Sequence, residues 1–150
     1  MIEIEFVGTR TLWGSIIKWG TMSDIDHVQF VLPDGRRLGA MPGAGVSFGQ
    51  APDASSTVHR FGLDASPRAL AYAYSQIGKP YDLGAVLAIA TRRTLGHDWR
   101  RANRWFCSEL VAACCEVGGR PLLAARDLCV ITPRDLTLSP YLIPLDRKTA

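Results

Sequence analysis

The chain has 150 residues, 47% of them hydrophobic and 21% charged, with a formal net charge of +3. That length suits one domain over residues 1–150 with a core of its own, and the apolar share excludes a disordered segment. The charge is too small, and its basic residues too scattered, to point to nucleic acid. The longest apolar run, Leu83 to Ala90, is too short to span a bilayer.

Met1 to Phe6 has neither the basic start nor the long apolar run of an export signal, so no leader is expected. Ile2-Glu3-Ile4-Glu5-Phe6 alternates strictly and reads as a strand with one wet face. Leu12, Trp13, Ile16, Ile17 and Trp19 fit a short amphipathic helix that Gly20 would end. His27 to Leu32 and Arg37 to Met41 flank Pro33-Asp34-Gly35-Arg36, a hairpin signal. His27 starts the first strand and shares a face with Gln29 and Val31. Pro42 to Val46 is a loop into another extended piece, and Thr57 to Phe61 alternates as a strand.

Ser66 as N-cap and Pro67 as first residue open a helix that runs to a stop at Gly78. Gly78 to Asp82 is a turn. A second helix is expected from Leu83 to about Leu95, broken by Gly96-His97-Asp98-Trp99. Arg92, Arg93, Arg100, Arg101 and Arg104 bracket the loop that follows. They form either a solvated surface or a rim that attracts an anionic substrate. A helix from Cys107 ends at Gly118-Gly119. Cys129-Val130-Ile131 reads as a strand, Thr132 to Leu136 as a turn and Tyr141 to Leu145 as a last extended segment. Strands early, helices next and short strands last favour an α+β fold with an antiparallel sheet.

The four cysteines include no C-x-x-C pair, and Cys114 and Cys115 are adjacent. Neither a disulfide frame nor a zinc site is expected, so the thiols read as reduced, with no metal and no cofactor. Cys107 has a special position. A thiol at a helix N-terminus meets unpaired N–H groups and the positive end of the dipole, which favour thiolate. The same N–H groups can hold an oxyanion. A cysteine on an apolar helix is, however, more commonly core packing. Catalysis by Cys107 would need a base. Of His27, His59 and His97, His27 is the best candidate, because sheet geometry can fix its ring. His97 and Asp98 are adjacent but rarely would face one another productively.

The order His-Val-x-Phe, Asp-Gly turn, Gly-Ala-x-Pro-x-x-Gly-Val, Gly-Lys-Pro-Tyr-Asp, Phe-Cys-Ser-Glu-Leu-Val and Ile-Thr-Pro-Arg-Asp-Leu resembles the circularly permuted papain-like hydrolases. These belong with the NlpC-type cell-wall cysteine peptidases and the lecithin:retinol acyltransferase group. The histidine precedes the cysteine, as in the permuted branch, and small phage or prophage members resemble the opening of the chain. The resemblance implies a papain-like (NlpC-type) fold with a permuted, antiparallel sheet packed with helices. It implies Cys107 as nucleophile, His27 as base, the Ser108 or Cys107 N–H in an oxyanion hole, and Tyr81 near the nucleophile as a further donor. Glu109 reads as a structural helix-start carboxylate. Relatives often carry a polar residue that orients the histidine where this chain has Gly39-Ala40, so Gln29 is the candidate orienter. Asp26 stands where relatives commonly have serine, and its carboxylate would raise the His27 pKa.

The expected function is a cysteine peptidase or amidase working through an acyl-enzyme on a peptide amide such as a peptidoglycan fragment. Alternatives are a lipid or acyl ester hydrolase or acyltransferase, and a non-enzymatic binding or phage assembly module of the same fold. A cytoplasmic or phage-associated setting follows from the lack of an export signal and the reduced thiols.

Overall fold

The computed structural model describes residues 1–91, 103–124 and 130–145. Strand β1 (Ile2–Gly8) is followed by helix α1 (Leu12–Thr21) and strands β2 (His27–Val31), β3 (Arg37–Met41), β4 (Gly45–Gly49) and β5 (Thr57–Leu63). Helices α2 (Arg68–Ser75), α3 (Leu83–Thr91), α4 (Cys107–Val117) and α5 (Pro133–Thr137) come next, then the short β6 (Ile143–Pro144). The six strands form one sheet in the order β4-β3-β2-β1-β5-β6, with every pairing antiparallel. The fold is therefore α+β. No helix among the described residues is long and apolar enough to cross a membrane.

Side-chain alternation divides the sheet into two faces. Ile4, Phe6, Val28, Phe30, Leu38, Ala40 and Val46 lie on one face and are buried in a continuous core. Helix α4 packs on β2 and β3, and α2 packs on α4. Residues Cys107 through Cys115 of α4 are all buried. Each of its large apolar side chains, such as Leu110 and Val111, contributes about 1.5–3 kcal/mol by leaving water. The other face carries Glu5, Gln29 and Arg37, which are also buried. The strand alternation is as expected, but at Glu5 the polar face of β1 is not wet.

The Asp-Gly hairpin forms as expected, with Gly35 at φ +83° and its N–H donating to Leu32 O. Helix α1 continues past Gly20 and ends at Met22, whose φ is +50°. Gly20 has a different role: a Cβ there would lie 2.7 Å from the Ile89 side chain and carbonyl, so the missing side chain lets α1 approach α3. Helix α2 begins one residue later than expected, with Ser66 Oγ accepting the Arg68 N–H, and ends at Ser75, not Gly78. Gly78 instead donates to Val46 O while Val46 donates to Lys79 O, which ties this turn to β4. Asp82 opens α3 by accepting the Gly84 N–H at 2.8 Å. The expected stretch of that helix beyond Thr91 lies outside the described residues.

Two expectations near the C-terminus are corrected. Val130 and Ile131 are not in a strand, and Cys129 lies outside the described residues. Thr132 caps a helical turn rather than a loop, because Thr132 Oγ1 accepts the Asp135 N–H and Asp135 Oδ2 accepts the Thr132 N–H. Of Tyr141 to Leu145, Ile143–Pro144 forms a strand paired with β5, and the Leu145 N–H donates to Arg60 O at 3.0 Å.

Candidate active site

The segment before α4 is held by backbone pairing with the Pro80–Asp82 turn. Trp105 N–H donates to Pro80 O and Asp82 N–H to Trp105 O, each at 3.0 Å. Trp105 Nε1 adds a bond to Gln76 Oε1 at 3.1 Å. These contacts place Tyr81 beside the start of α4, with its ring edge-on to Phe106 at a centroid distance of 5.8 Å. Glu109 Oε2 accepts the Phe106 N–H at 3.3 Å, as a helix-start carboxylate should.

Cys107 Sγ lies against the start of β2. The thiol donates to Asp26 O at 4.0 Å, and the backbone N–H groups of Val28 and Ser108 act on the sulfur in the direction that lowers its pKa. It is thus held by backbone on both sides of His27. Burial pushes its pKa up to about 12, against the lowering by those two N–H groups, and the Asp26 and Glu109 charges add to the rise. The expected low-pKa thiolate is therefore corrected: the helix N-terminus acts in the predicted direction, but desolvation is larger. Cys114 and Cys115 are also free and buried, with raised pKa values from the same cause.

The His27 ring donates from Nε2 to Gln29 Oε1 at 3.2 Å, so Gln29 does meet the histidine. Gln29 Nε2 in turn donates to Glu5 Oε1 at 3.0 Å. Gly39 accommodates this arrangement, since a Cβ there would come within 3.0 Å of Gln29 Cβ and 3.7 Å of His27 Nε2. Burial lowers the His27 pKa and outweighs the opposing Gln29 hydrogen bond and the Asp26 and Glu5 charges. The net effect is the reverse of the rise expected from Asp26. No hydrogen bond joins the Cys107 sulfur to the His27 ring: the thiol contacts the Asp26 carbonyl, and the ring Nε2 contacts Gln29.

Tyr81 remains a phenol. Burial above all holds its pKa above the ordinary value, so its hydroxyl stays protonated and able to donate, and the residue lines the cavity beside the site. Ser108 Oγ is committed to Ile131 O at 2.6 Å, leaving only its backbone N–H for the site. His59 is exposed on β5, and His97, Asp98 and Trp99 lie outside the described residues.

A cavity of about 490 Å³ opens beside the site. His27, Gln29, Asp26 and Tyr81 form its polar wall, and Trp13 and Met41 line it from α1 and β3. Cys107 does not line it and is fully buried. The Asp26 carboxylate is anchored by Thr9, whose N–H and Oγ1 each donate at 2.6 Å. A Cβ on Gly14 would collide with Asp26 Oδ2 and Thr9 Oγ1. Gly14→Ala is therefore expected to cost about 1–3 kcal/mol through overpacking, read as a lower urea midpoint.

Three residues of the site were missed in the sequence. Glu5 is fully buried and holds Arg37 through Nε at 3.1 Å and Nη2 at 3.0 Å, and Arg60 through Nε at 3.0 Å. Burial raises the Glu5 pKa, but the hydrogen bonds from Arg37 and Gln29, the Arg37 charge and the Arg60 bond together bring it below the usual value. In the sequence Glu5 looks like Glu3, and only the cross-strand register separates them.

No protein-family model matches the chain, and no curated protein does. Among solved structures, the chain is similar to the metalloprotein yiiX from Escherichia coli O157:H7, described as DUF1105. The TM-score is 0.68 at 17% identity, over 97% of this chain and 95% of that one. At that identity the likeness shows a shared fold.

Proposed function

We propose that the chain is a thiol-dependent hydrolase of the circularly permuted papain-like type, acting on an amide of the kind found in cell-wall peptides. The observation that carries this reading is the seat of Cys107 Sγ: a helix N-terminus, the Ser108 and Val28 backbone N–H groups acting on the sulfur, and the Asp26 carbonyl, so that the backbone before and after His27 meets the thiol. In this reading the resting site is a neutral thiol and a neutral imidazole. As the carbonyl carbon binds, the thiol proton passes to His27 and sulfur attacks, forming the C–S bond. The Ser108 N–H and the Tyr81 hydroxyl hold the oxyanion. Collapse breaks the C–N bond, and His27 returns its proton to the leaving amine. Water, deprotonated by His27, then cleaves the thioester, releasing the acid and the thiol.

The described residues do not fit the metal that the neighbour's description mentions. Among the described residues no three His, Cys, Asp or Glu side chains converge as ligands would.

A second reading is a binding module of the same fold, favoured by the thiol's hydrogen bond to Asp26 rather than to His27. A panel of peptide amides and acyl esters separates the two. The hydrolase reading expects turnover by the native chain that Cys107→Ala abolishes, with amides preferred over esters. The binding reading expects retention of a ligand without turnover.

The pH profile has a defined sign. His27 must be neutral to act, and its pKa lies below the usual 6.5. The acid limb of kcat/KM is therefore expected below pH 6.5. With Cys107 at about 12, no alkaline limb is expected below about pH 9. A bell with an alkaline limb near pH 8 would instead indicate a thiol that titrates freely.

A further inference from the structure

The amide of Gln29 has a donor at one end and an acceptor at the other. Glu5, at one end, is ionised and held by Arg37 and Arg60, so it can only accept hydrogen bonds. The NH₂ end of Gln29 must therefore face Glu5, as it does at 3.0 Å. The carbonyl end is left for His27, at 3.2 Å. A carbonyl also only accepts, so Nε2 of the neutral ring carries the proton and Nδ1 carries the lone pair.

We propose that Glu5 is a positioning residue that acts through Gln29 to fix the tautomer of His27, making Nδ1 the nitrogen that receives a proton. Three features of the structure support it. Glu5 sits centrally on its sheet face, opposite Gln29 on β2 and Arg60 on β5. Arg37 reaches the same carboxylate from β3, so three neighbouring strands converge on one buried anion. Gly39 leaves the space in which the Gln29 side chain lies between Glu5 and the ring. An acidic orienter is thus supplied from β1, one residue removed, where the strand after the hairpin has none. The consequence for catalysis rests on the hydrolase reading, but the tautomer does not.

The test is a long-range ¹H–¹⁵N spectrum of the full chain with labelled histidine at pH 7.5, His27 being identified by its loss in His27→Ala. The native chain is expected to show His27 as the Nε2–H tautomer. Gln29→Met leaves Glu5 with both arginines and is expected to lose that preference. Glu5→Gln/Arg37→Met removes the buried charge together with a counter-charge, frees the amide to turn, and is expected to give a mixture of tautomers. An Nδ1–H ring in the native chain, or an unchanged Nε2–H ring in both variants, overturns the proposal. Where turnover is measurable, Gln29→Met is expected to lower kcat about 10- to 100-fold with KM little changed. If no substrate is turned over, the hydrolase reading fails while the spectrum still decides the role of Glu5.

Discussion

Replacing Glu5 with alanine is expected to lower stability by about 3–5 kcal/mol, the range for breaking a buried ion pair from one side. The side chain of Arg37 is 6% exposed and that of Glu5 is 0% exposed. Removing the carboxylate leaves the Arg37 guanidinium desolvated, with its donors Nε and Nη2 unpaired, and strips Gln29 of its acceptor. Glu3 makes the useful comparison. It faces Arg60 at 3.5 Å with 34% of its side chain exposed, and Glu3→Ala is expected to cost no more than about 1 kcal/mol. Equilibrium urea unfolding at constant m checks both. A Glu5→Leu/Arg37→Leu pair is expected to recover much of the loss, since both charges then leave the core. Acid acts in the same direction. The lowered Glu5 pKa contributes stability that is complete above the unfolded carboxyl value of about 4.3 and lost as pH falls through the lower folded value. Thermal unfolding of the native chain is therefore expected to weaken at the acid end of that window, and the Glu5→Ala chain is expected to lack this component.

After Cys107, the largest effect on turnover is expected at His27. His27→Ala removes the proton acceptor for both half-reactions and is expected to lower kcat by about 10²- to 10⁴-fold. Because the ring lines the cavity and is hydrogen-bonded to Gln29, substrate binding should change less than the rate. His59→Ala is expected to leave turnover unchanged, because that residue is exposed on β5 and does not line the cavity. Comparing kcat and KM for the two variants on one substrate separates a base at His27 from a general effect of losing an imidazole. Equal losses in both would remove His27 from its assigned role.

Much of this arrangement was legible in local sequence. Alternation in Ile2 to Phe6, the Asp-Gly turn after His27, and the apolar run from Cys107 to a glycine pair each follow from short-range periodicity and turn chemistry. Where reading failed, the deciding influence was at long range. Gly20 looked like a helix stop, but contact with Ile89 gives it another use. Thr132 to Leu136 looked like a turn because the reciprocal Thr132–Asp135 caps sit on only five helical residues. Glu5 and Glu3 have the same local pattern, and they differ only because Arg37 arrives from two strands away. The thiol is the clearest case. A helix N-terminus lowers a cysteine pKa, and the sequence carries that signal, but the depth of burial that overrides it depends on how the whole sheet closes over α4.

In the proposed mechanism Cys107 carries the acyl group during turnover. The most direct measurement is the mass of the native chain after brief incubation with an activated acyl ester, followed by peptide mapping. One acyl group on Cys107, released by neutral hydroxylamine and missing from Cys107→Ala, is the predicted result. Turnover that persists in Cys107→Ala, or an acyl group found on another cysteine while Cys107 stays unmodified, would contradict it.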